Sequence, residues 1–567
     1  MVVVIVVLLT IEAICALVLP SYMADIVNYG VITGDIQFIW RSGVSMLLLT
    51  LFAVIVALAV GYFSAKTATG VANDLREAVF KRVLHFSNAE LNKFSTSSLI
   101  TRTTNDITQI QSTMMMALRQ FIYAPIIGIG GIIRALERSV SMTWIIALAT
   151  LCLVGVLVIL GIVAMPKFKM IQNLIDKLNS VSRENLSGIL IVRAFSTQRF
   201  EKKRFDKANK ELSDTNLFVD QAFAFLNPSI MLVMNLTTAL VVWVGAYQVS
   251  AFRADIGDIF AFLQYGMLII FAFFMVAIMF VLLPRAVVSA GRIKEVLDTE
   301  TSLKYRAESL SFPADFKGIV EFKDVCFKYP DTTEDDENVL NHISFTAKPN
   351  ETTAIIGATG CGKSTIFKLL LRFFDVCSGK ICIDGVDIRD VDKKELHDKI
   401  GYVPQKALLF SGSIRTNLLY ADKSATEERV LDAVEISQSK GFINEREDGY
   451  DSNVAQGGSN LSGGQRQRLS IARALVKNAP INLFDDSFSA LDLKTDALLR
   501  VALKKKTGKS TMIVIAQRIS TIMDADQIVV LDEGKVVGLG KHRELMKTCS
   551  VYREIAASQL TEEEMNL

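Results

Sequence analysis

The segment GATGCGKST has the residue types and spacing of a loop that binds phosphate. It follows the apolar strand pattern TTAII and precedes a helical pattern, so the loop is predicted to lie at a helix N-terminus. Glycines let backbone N–H groups converge on phosphate oxygens there, the Lys363 ammonium reaches the terminal phosphates, and the Ser364 hydroxyl can ligate Mg²⁺. The residues predicted to contact a nucleotide here are Gly357, Ala358, Thr359, Gly360, Cys361, Gly362, Lys363, Ser364 and Thr365.

Two later segments add to this chemistry. INLFDD is an apolar strand pattern that ends in Asp485, whose carboxylate suits Mg²⁺. LSGGQRQR opens another helical pattern with a Ser-Gly-Gly turn, which is itself a place to hold an anion. Its predicted contact residues are Ser462, Gly463, Gly464 and Gln465. The chain therefore has two separate phosphate sites, although one nucleotide needs only one of them.

The first half of the chain must place these motifs at a membrane. A bilayer core of roughly 30 Å is crossed by about 20 apolar residues in a helix. Runs of that kind lie near 1–19, 43–63, 115–136, 142–165, 222–246 and 257–284. The apolar start lacks the basic leading region and cleavage site of a signal peptide, so it is predicted to be the first spanning helix. A cytoplasmic segment before residue 1 would fit this prediction.

The distribution of basic residues predicts which side is cytoplasmic. Lys and Arg number six between residues 65 and 113 and eleven between 166 and 221, whereas the opposite loops are short and carry few. Because cytoplasmic loops are the basic ones, both termini are expected in the cytoplasm, as in a multi-pass protein of a bacterial cytoplasmic membrane. A net charge of +2 gives no reason to expect a nucleic-acid partner.

The remaining elements complete the predicted architecture. The two basic connections keep a helical periodicity, so the spanning helices are expected to continue into the cytoplasm. Strand and helix patterns alternate from residue 319, as in a mostly parallel sheet. The predicted fold is a six-span helical membrane domain (1–298), a linker (299–318), an α/β P-loop nucleotide-binding domain (319–560) and a tail (561–567).

In order along the chain, GATGCGKST, YVPQ, LSGGQ, INLFDD and SALD resemble the motifs of the nucleotide-binding domain of an ABC transporter. With six spans in front, the whole chain resembles a half-size ABC exporter of the bacterial multidrug type. The resemblance implies ATP and Mg²⁺ as ligands, with adenine stacked on Tyr329 and the γ-phosphate and Mg²⁺ contacted by Gln405. It also implies a head-to-tail pair of domains, in which LSGGQ acts on the partner's ATP.

The chain departs from the family pattern at the two positions that activate the attacking water. Fully active members have Glu after the magnesium aspartate and His about 30 residues later, where this chain has Asp486 and Gln517. A misplacement of about 1 Å can reduce a rate on the order of 10²-fold, so this pocket is predicted to hold ATP and hydrolyse it slowly. Because LSGGQ is intact, the interpretation is a heterodimer with a second, non-identical half-transporter; the alternative is a slow homodimer.

The substrate is predicted to be a small hydrophobic or amphipathic compound. Acidic residues within a span usually face a cavity or a partner, which makes Glu12 a candidate contact. The sixth span is crowded with aromatic residues, of which Phe262, Tyr265 and Phe273 are candidates for a wall against flat compounds. Lipid or peptide export and a nucleotide-gated regulatory membrane protein are the alternatives, whereas the six spans exclude a soluble ABC ATPase acting on ribosomes or DNA.

Overall fold

In the computed structural model the described residues are 1–303, 309–330, 337–506 and 510–560. Part of the predicted linker and the predicted tail 561–567 lie outside them. Contacts divide the chain into two units, one of Met1–Arg82 and Ser97–Asp298, the other of Val83–Thr96 and Thr299–Leu567.

The first unit is helical, and six of its helices are long and apolar enough to cross a membrane, which confirms the predicted number. They cover Val2–Val31, Ile36–Leu84, Thr96–Arg138, Thr143–Ala164, Gln198–Ser250 and Ile256–Val276. Several run well beyond the roughly 20 residues that a bilayer needs. Polar sequence therefore continues the same helices past the apolar runs.

The first half of the chain contains eleven α-helices, of which the short α3 belongs to the second unit. In chain order they are α1 (Val2–Asp25), α2 (Ile36–Leu84), α3 (Asn88–Phe94), α4 (Thr96–Thr101), α5 (Ile107–Met116), α6 (Ile122–Arg138), α7 (Thr143–Ser187), α8 (Ile189–Ala194), α9 (Gln198–Ala224), α10 (Leu226–Ser250) and α11 (Ile256–Asp298). Wider π-helical turns occupy Ile26–Val31, Arg102–Asp106 and Ala117–Phe121. The last of these ends at Phe121, whose carbonyl would bond the N–H that Pro125 lacks.

The short helix α8 joins α7 to α9 and is apolar at its surface. Leu190 is 76% exposed, Ile191 63% and Phe195, just after the helix, 75%. The neighbouring turns of α9 are rich in Lys and Arg. The tip of this long helical hairpin thus carries an uncovered apolar face beside a basic one.

At the other end of the spans α1, α6 and α11 meet closely. Arg138 pairs with Asp258 at 3.0 Å and with Asp25 at 3.4 Å. The backbone N–H of Gly257 donates to Asn28 Oδ1 at 2.7 Å. A Cβ on Gly257 would lie 2.3 Å from the carbonyl oxygen of Ala24, so only glycine fits here.

The second unit contains an antiparallel sheet and a mostly parallel sheet. Its strands are β1 (Val320–Phe327), β2 (Leu340–Ala347), β3 (Thr352–Gly357), β4 (Ser378–Ile383), β5 (Val386–Asp387), β6 (Ile400–Val403), β7 (Gly412–Ser413), β8 (Asn453–Val454), β9 (Ile481–Asp485), β10 (Thr511–Ile515), β11 (Gln527–Asp532) and β12 (Lys535–Gly540). The antiparallel sheet has the order β2-β1-β4-β5 and the larger sheet the order β12-β11-β3-β10-β9-β6. In the larger sheet the pairs from β11 to β6 are parallel.

Helices cover the larger sheet, and two apolar clusters fill the space between the layers. The helices of this unit are α12 (Lys363–Leu370), α13 (Lys393–Asp398), α14 (Ile414–Leu418), α15 (Glu427–Ile436), α16 (Lys440–Asn444), α17 (Gly463–Val476), α18 (Leu493–Lys506), α19 (Ile519–Ile522), α20 (His542–Thr548) and α21 (Ser550–Ala557). Of these, α14, α15 and α16 pack with α17 around a third apolar cluster instead of on the larger sheet. The predicted architecture, six apolar helices followed by an α/β domain, is confirmed.

The tight packing of Gly257 against Ala24 and Asn28 leads to a testable prediction. Gly257→Ala should lower the thermal stability of the chain in detergent, because the added methyl group overlaps Ala24 and Asn28 and overpacking costs about 1–3 kcal/mol. The matched control is Gly266→Ala in the same helix, where the nearest atom would be 3.9 Å away. Equal melting temperatures for the two variants would contradict the prediction.

Candidate functional site

Four parallel strands bring the candidate catalytic residues to one edge of the larger sheet. The phosphate loop follows β3, Gln405 follows β6, Asp485 ends β9 with Asp486 just after it, and Gln517 follows β10. These strands are neighbours in the order β3-β10-β9-β6. Since carboxyl ends of parallel strands share an edge, residues far apart in sequence, such as Ser364 and Asp485, become neighbours.

The phosphate loop turns tightly between β3 and α12. Gly360 and Gly362 have φ values of +91° and +95°, which favour glycine. A Cβ on Gly357 would lie 2.1 Å from the carbonyl oxygen of Leu531, so the backbone itself is crowded there. The Lys363 ammonium donates to the carbonyl oxygens of Gly357 and Ala358 at 2.8 and 2.7 Å. The loop therefore leads directly into the N-terminus of α12, the end of a helix that attracts anions.

Ser364 and Asp485 meet as the sequence predicts for a magnesium pair. The Ser364 hydroxyl donates to Asp485 Oδ1 at 2.9 Å, and Asp485 is buried. Burial raises the pKa of Asp485, the Ser364 hydrogen bond opposes the rise, and the neighbouring Asp486 charge adds to it. A hydroxyl beside a buried carboxylate, next to a phosphate loop, is a pair of oxygen ligands that suits Mg²⁺. A bound Mg²⁺ ion would neutralise the charge of the phosphates.

Tyr402 belongs to this site, although the sequence motifs did not indicate it. Its pKa is raised by burial, by the Asp485 charge and by a hydrogen bond to Asp485. The tyrosine lies three residues before Gln405 in the YVPQ motif, so its position at the end of a strand was the signal that could have identified it. Its hydroxyl helps to hold the carboxylate that faces Ser364.

Asp486 is held by two amide groups. Its Oδ2 atom accepts a hydrogen bond from Gln517 Nε2 at 2.7 Å and a longer one from Gln405 Nε2 at 3.3 Å. Burial raises the pKa of Asp486, and the Gln405 hydrogen bond opposes the rise. The backbone at Asp486 has φ +46°, and its N–H donates to the Ile515 carbonyl at 2.9 Å. The carboxylate and the backbone of Asp486 are therefore both held by hydrogen bonds.

Tyr329 lies half-buried beside the phosphate loop. Its hydroxyl is 3.0 Å from Thr365 Oγ1, and the ammonium of Lys368 lies 5.4 Å from the ring centroid. The ring packs edge-on against Phe374 with centroids 5.2 Å apart. These contacts fix an aromatic surface next to the loop, and Lys368 is a second neighbour that the sequence motifs did not indicate.

The LSGGQ segment forms its own preorganised helix start. Ser462 Oγ accepts the backbone N–H of Gln465 at 3.2 Å, and Gln465 Oε1 accepts the N–H of Ser462 at 3.0 Å. This reciprocal pair is a capping box at the N-terminus of α17, followed by Gly463 and Gly464. Within the described residues, no hydrogen bond joins Ser462 or Gln465 to the phosphate loop of the same chain. That this helix start is a second phosphate site stays a prediction.

The candidate substrate residues lie in different environments. Phe262 and Tyr265 have no exposed surface, and the Tyr265 hydroxyl is bonded to Ser21 Oγ and the Leu17 carbonyl. Both therefore act in helix packing, which is not where a substrate wall was expected, and a substrate role for them stays a prediction. Phe273 is half-buried at the edge of the same packing. Glu12 is half-buried, and its Oε2 atom is enclosed without a hydrogen-bond partner among the described residues.

The raised pKa of Asp485 predicts the effect of Asp485→Asn. A carboxyl group whose pKa is higher in the folded state costs stability once the pH exceeds its unfolded value. At neutral pH the variant should therefore melt at a higher temperature without nucleotide, yet gain less from added MgATP. Thermal unfolding with and without MgATP measures both effects. The exposed Glu447→Gln serves as control, and an undiminished MgATP shift in Asp485→Asn would contradict the assignment.

The chain matches two known family descriptions. Residues 2–273 match the family described as ABC transporter transmembrane region, and residues 340–489 match the family described as ABC transporter. The structure of a bacterial Atm1-family ABC exporter with ATP bound is similar over 98% of both chains, with a TM-score of 0.82 and 25% sequence identity.

Curated relatives cover nearly the whole chain. An uncharacterised ABC transporter ATP-binding protein of Mycobacterium tuberculosis is 39% identical over 97% of this chain and 94% of its own length. The uncharacterised ABC transporter ATP-binding protein YfiB of Bacillus subtilis is 36% identical over 98% and 96%. An ATP-dependent lipid A-core flippase of Pseudomonas aeruginosa is 32% identical over 88% and 82%. With its six apolar helices and P-loop domain, this chain belongs to the ABC transporter family, as an exporter half-transporter whose ATPase domain drives transport.

Proposed function

We propose that this chain is the ATP-retaining half of a heterodimeric exporter in a bacterial cytoplasmic membrane. In this proposal MgATP bound by Lys363, Ser364 and Asp485 closes the paired nucleotide-binding domains and is hydrolysed slowly. The partner is a different half-transporter, and its pocket performs most of the hydrolysis.

The observation that carries the proposal is the double hydrogen bond to Asp486. A general base must offer a lone pair to the attacking water. Here one of the two carboxylate oxygens of Asp486, Oδ2, already accepts from Gln517 and Gln405, and the side chain is one methylene shorter than Glu. Gln517 also places an uncharged amide where the family has a histidine. Both features are expected to lower the rate of ATP hydrolysis in this pocket, while the ATP-binding residues stay intact.

The intact capping box at Ser462 supports the second half of the proposal. A helix N-terminus of this kind suits a phosphate, and among the described residues no hydrogen bond joins it to the chain's own phosphate loop, so we assign it to the nucleotide of another domain. Retention of this feature beside a weakened base is what an asymmetric pair requires. A slow homodimer, the alternative, would place two weakened pockets in one exporter.

For the substrate we propose a lipophilic compound with a cationic or hydrogen-bond-donating group. Glu12 lies within the first span. Its Oε2 atom and the Gln120 Oε1 atom on the neighbouring π-helical turn are both enclosed acceptors without a donor among the described residues. Such groups in a span are costly and mark a site that a donor could satisfy. Lipid export is the second candidate, because several relatives are lipid A-core flippases.

The heterodimer makes the two pockets respond unequally to substitution. In the exporter purified with the half-transporter that accompanies it, Ser462→Ala should lower MgATP hydrolysis roughly tenfold or more, since it removes a group aimed at the partner's phosphate. Asp486→Asn should change the rate less than about twofold, because that pocket contributes little. Equal losses in the two variants, or vigorous hydrolysis by the chain alone, would support the homodimer instead.

The substrate proposal is tested with Glu12→Gln in inverted membrane vesicles. ATP-dependent uptake of the cationic dye ethidium should fall, because the neutral amide no longer attracts the cation. Glu137→Gln is the matched control, since Glu137 is exposed at the end of the third span and paired with Arg134. Unchanged ethidium uptake together with movement of a fluorescent lipid would favour the lipid exporter.

A further inference from the structure

The chain passes between its two units at three points, and one carboxylate joins the segments beside them. The crossings fall at residues 82/83, 96/97 and 298/299. The short helix α3 occupies the segment between the first two, and residues 299–303 follow the third. Glu90, in the first turn of α3, touches both segments.

Glu90 uses both oxygens to join these segments. Its Oε2 atom accepts the N–H of Ser87 at 2.7 Å, and its Oε1 atom accepts the N–H of Ser302 at 3.0 Å. The hydroxyl of Thr301 makes a longer contact of 3.5 Å. The Ser87 and Ser302 hydroxyls are also 3.0 Å apart, so the two backbones are linked twice.

The environment of Glu90 suits a charged acceptor. The residue is only 6% exposed. Burial by itself raises its pKa, yet the hydrogen bonds from Ser87 and Ser302 bring the pKa below its ordinary value. A glutamine could present only one oxygen, so its NH₂ group would face one of the two N–H donors. The site therefore requires a carboxylate rather than any polar side chain of this size.

The rest of α3 is packed into the nucleotide-binding unit. Phe86 and Phe94 stack with ring centroids 5.8 Å apart, and both are buried. Ala89 belongs to the apolar cluster that contains Phe312 and the strands β1 and β2. After α3 the chain turns at Ser95, whose φ is +53°. The helix is thus attached to the unit by its apolar face as well as by Glu90.

From these contacts we propose that Glu90 is a positioning residue for transport, which makes α3 and residues 299–302 move as one body. A displacement of the nucleotide-binding unit then reaches α2 and α4 through α3, and α11 through the linker, at the same time. The proposal rests on ATP-driven transport and holds whether the partner is a second copy or a different chain.

The test uses hydrogen–deuterium exchange of the intact exporter in nanodiscs, which needs no known substrate. In the unaltered protein MgATP should change exchange both at 357–365 and at the outer helix ends, 26–36 and 251–258. Glu90→Gln should keep the response at 357–365 and lose it at the outer ends. The exposed Glu77→Gln on α2, paired with Lys81, should keep both responses.

Two outcomes would overturn the proposal. One is a Glu90→Gln protein whose outer ends respond to MgATP as in the unaltered exporter. The other is an unaltered exporter whose loop responds while its outer ends do not, which would also remove ATP-driven movement of the spans. If MgATP changes the exchange at 357–365 in none of the proteins, ATP binding itself is contradicted, and with it the proposed function.

A disulfide provides a second test that does not depend on the folding of Glu90→Gln. The pair Ser87→Cys and Ser302→Cys replaces hydroxyls 3.0 Å apart, within reach of a disulfide. Once oxidised, this pair should leave the MgATP response of the outer ends unchanged and should restore it in Glu90→Gln. If oxidation abolishes the response and reduction restores it, the two segments must separate during the cycle, and the proposal is wrong.

Discussion

Two adjacent carboxylates at the end of β9 are the constraint around which the nucleotide-binding unit is arranged. Both are buried, and burial of a charge is expensive unless partners surround it. Asp485 obtains these partners from Ser364 on α12 and Tyr402 at the end of β6. Asp486 obtains them from residues after β6 and β10. The parallel strand order is what brings these partners to one place, so the sheet and the site depend on each other.

Much of this site follows from the sequence, because its motifs carry local geometry. A glycine-rich loop between a strand and a helix, or a Ser-Gly-Gly turn with Gln three residues after the Ser, specifies its own backbone. What sequence could not supply were contacts between distant segments. Two examples are the hydrogen bond from the Gln517 amide to Asp486 and the hydrogen bond between the Tyr402 hydroxyl and Asp485. Both depend on the strand order, which no single motif contains.

In the membrane half, the sequence predicts the number of elements well but their contacts poorly. Apolar length alone predicts the number of spans, since the bilayer sets that length. It says little about which face of a helix packs inward, because lipid and protein interior are equally apolar. Aromatic density therefore predicts a wall at Phe262 and Tyr265, whereas other helices cover both, and the Tyr265 hydroxyl bonds to the first span. Charged residues are more informative there, as the pairing of Arg138 with Asp25 and Asp258 illustrates.

The apolar tip at α8 has a consequence for the life of the protein before assembly. Leu190, Ile191 and Phe195 project from the end of a long helical hairpin with most of their surface in water. Until something covers them, they resemble the exposed segments that chaperones hold and proteases remove. A chain in which this tip stays uncovered therefore carries an apolar patch of the kind that favours aggregation.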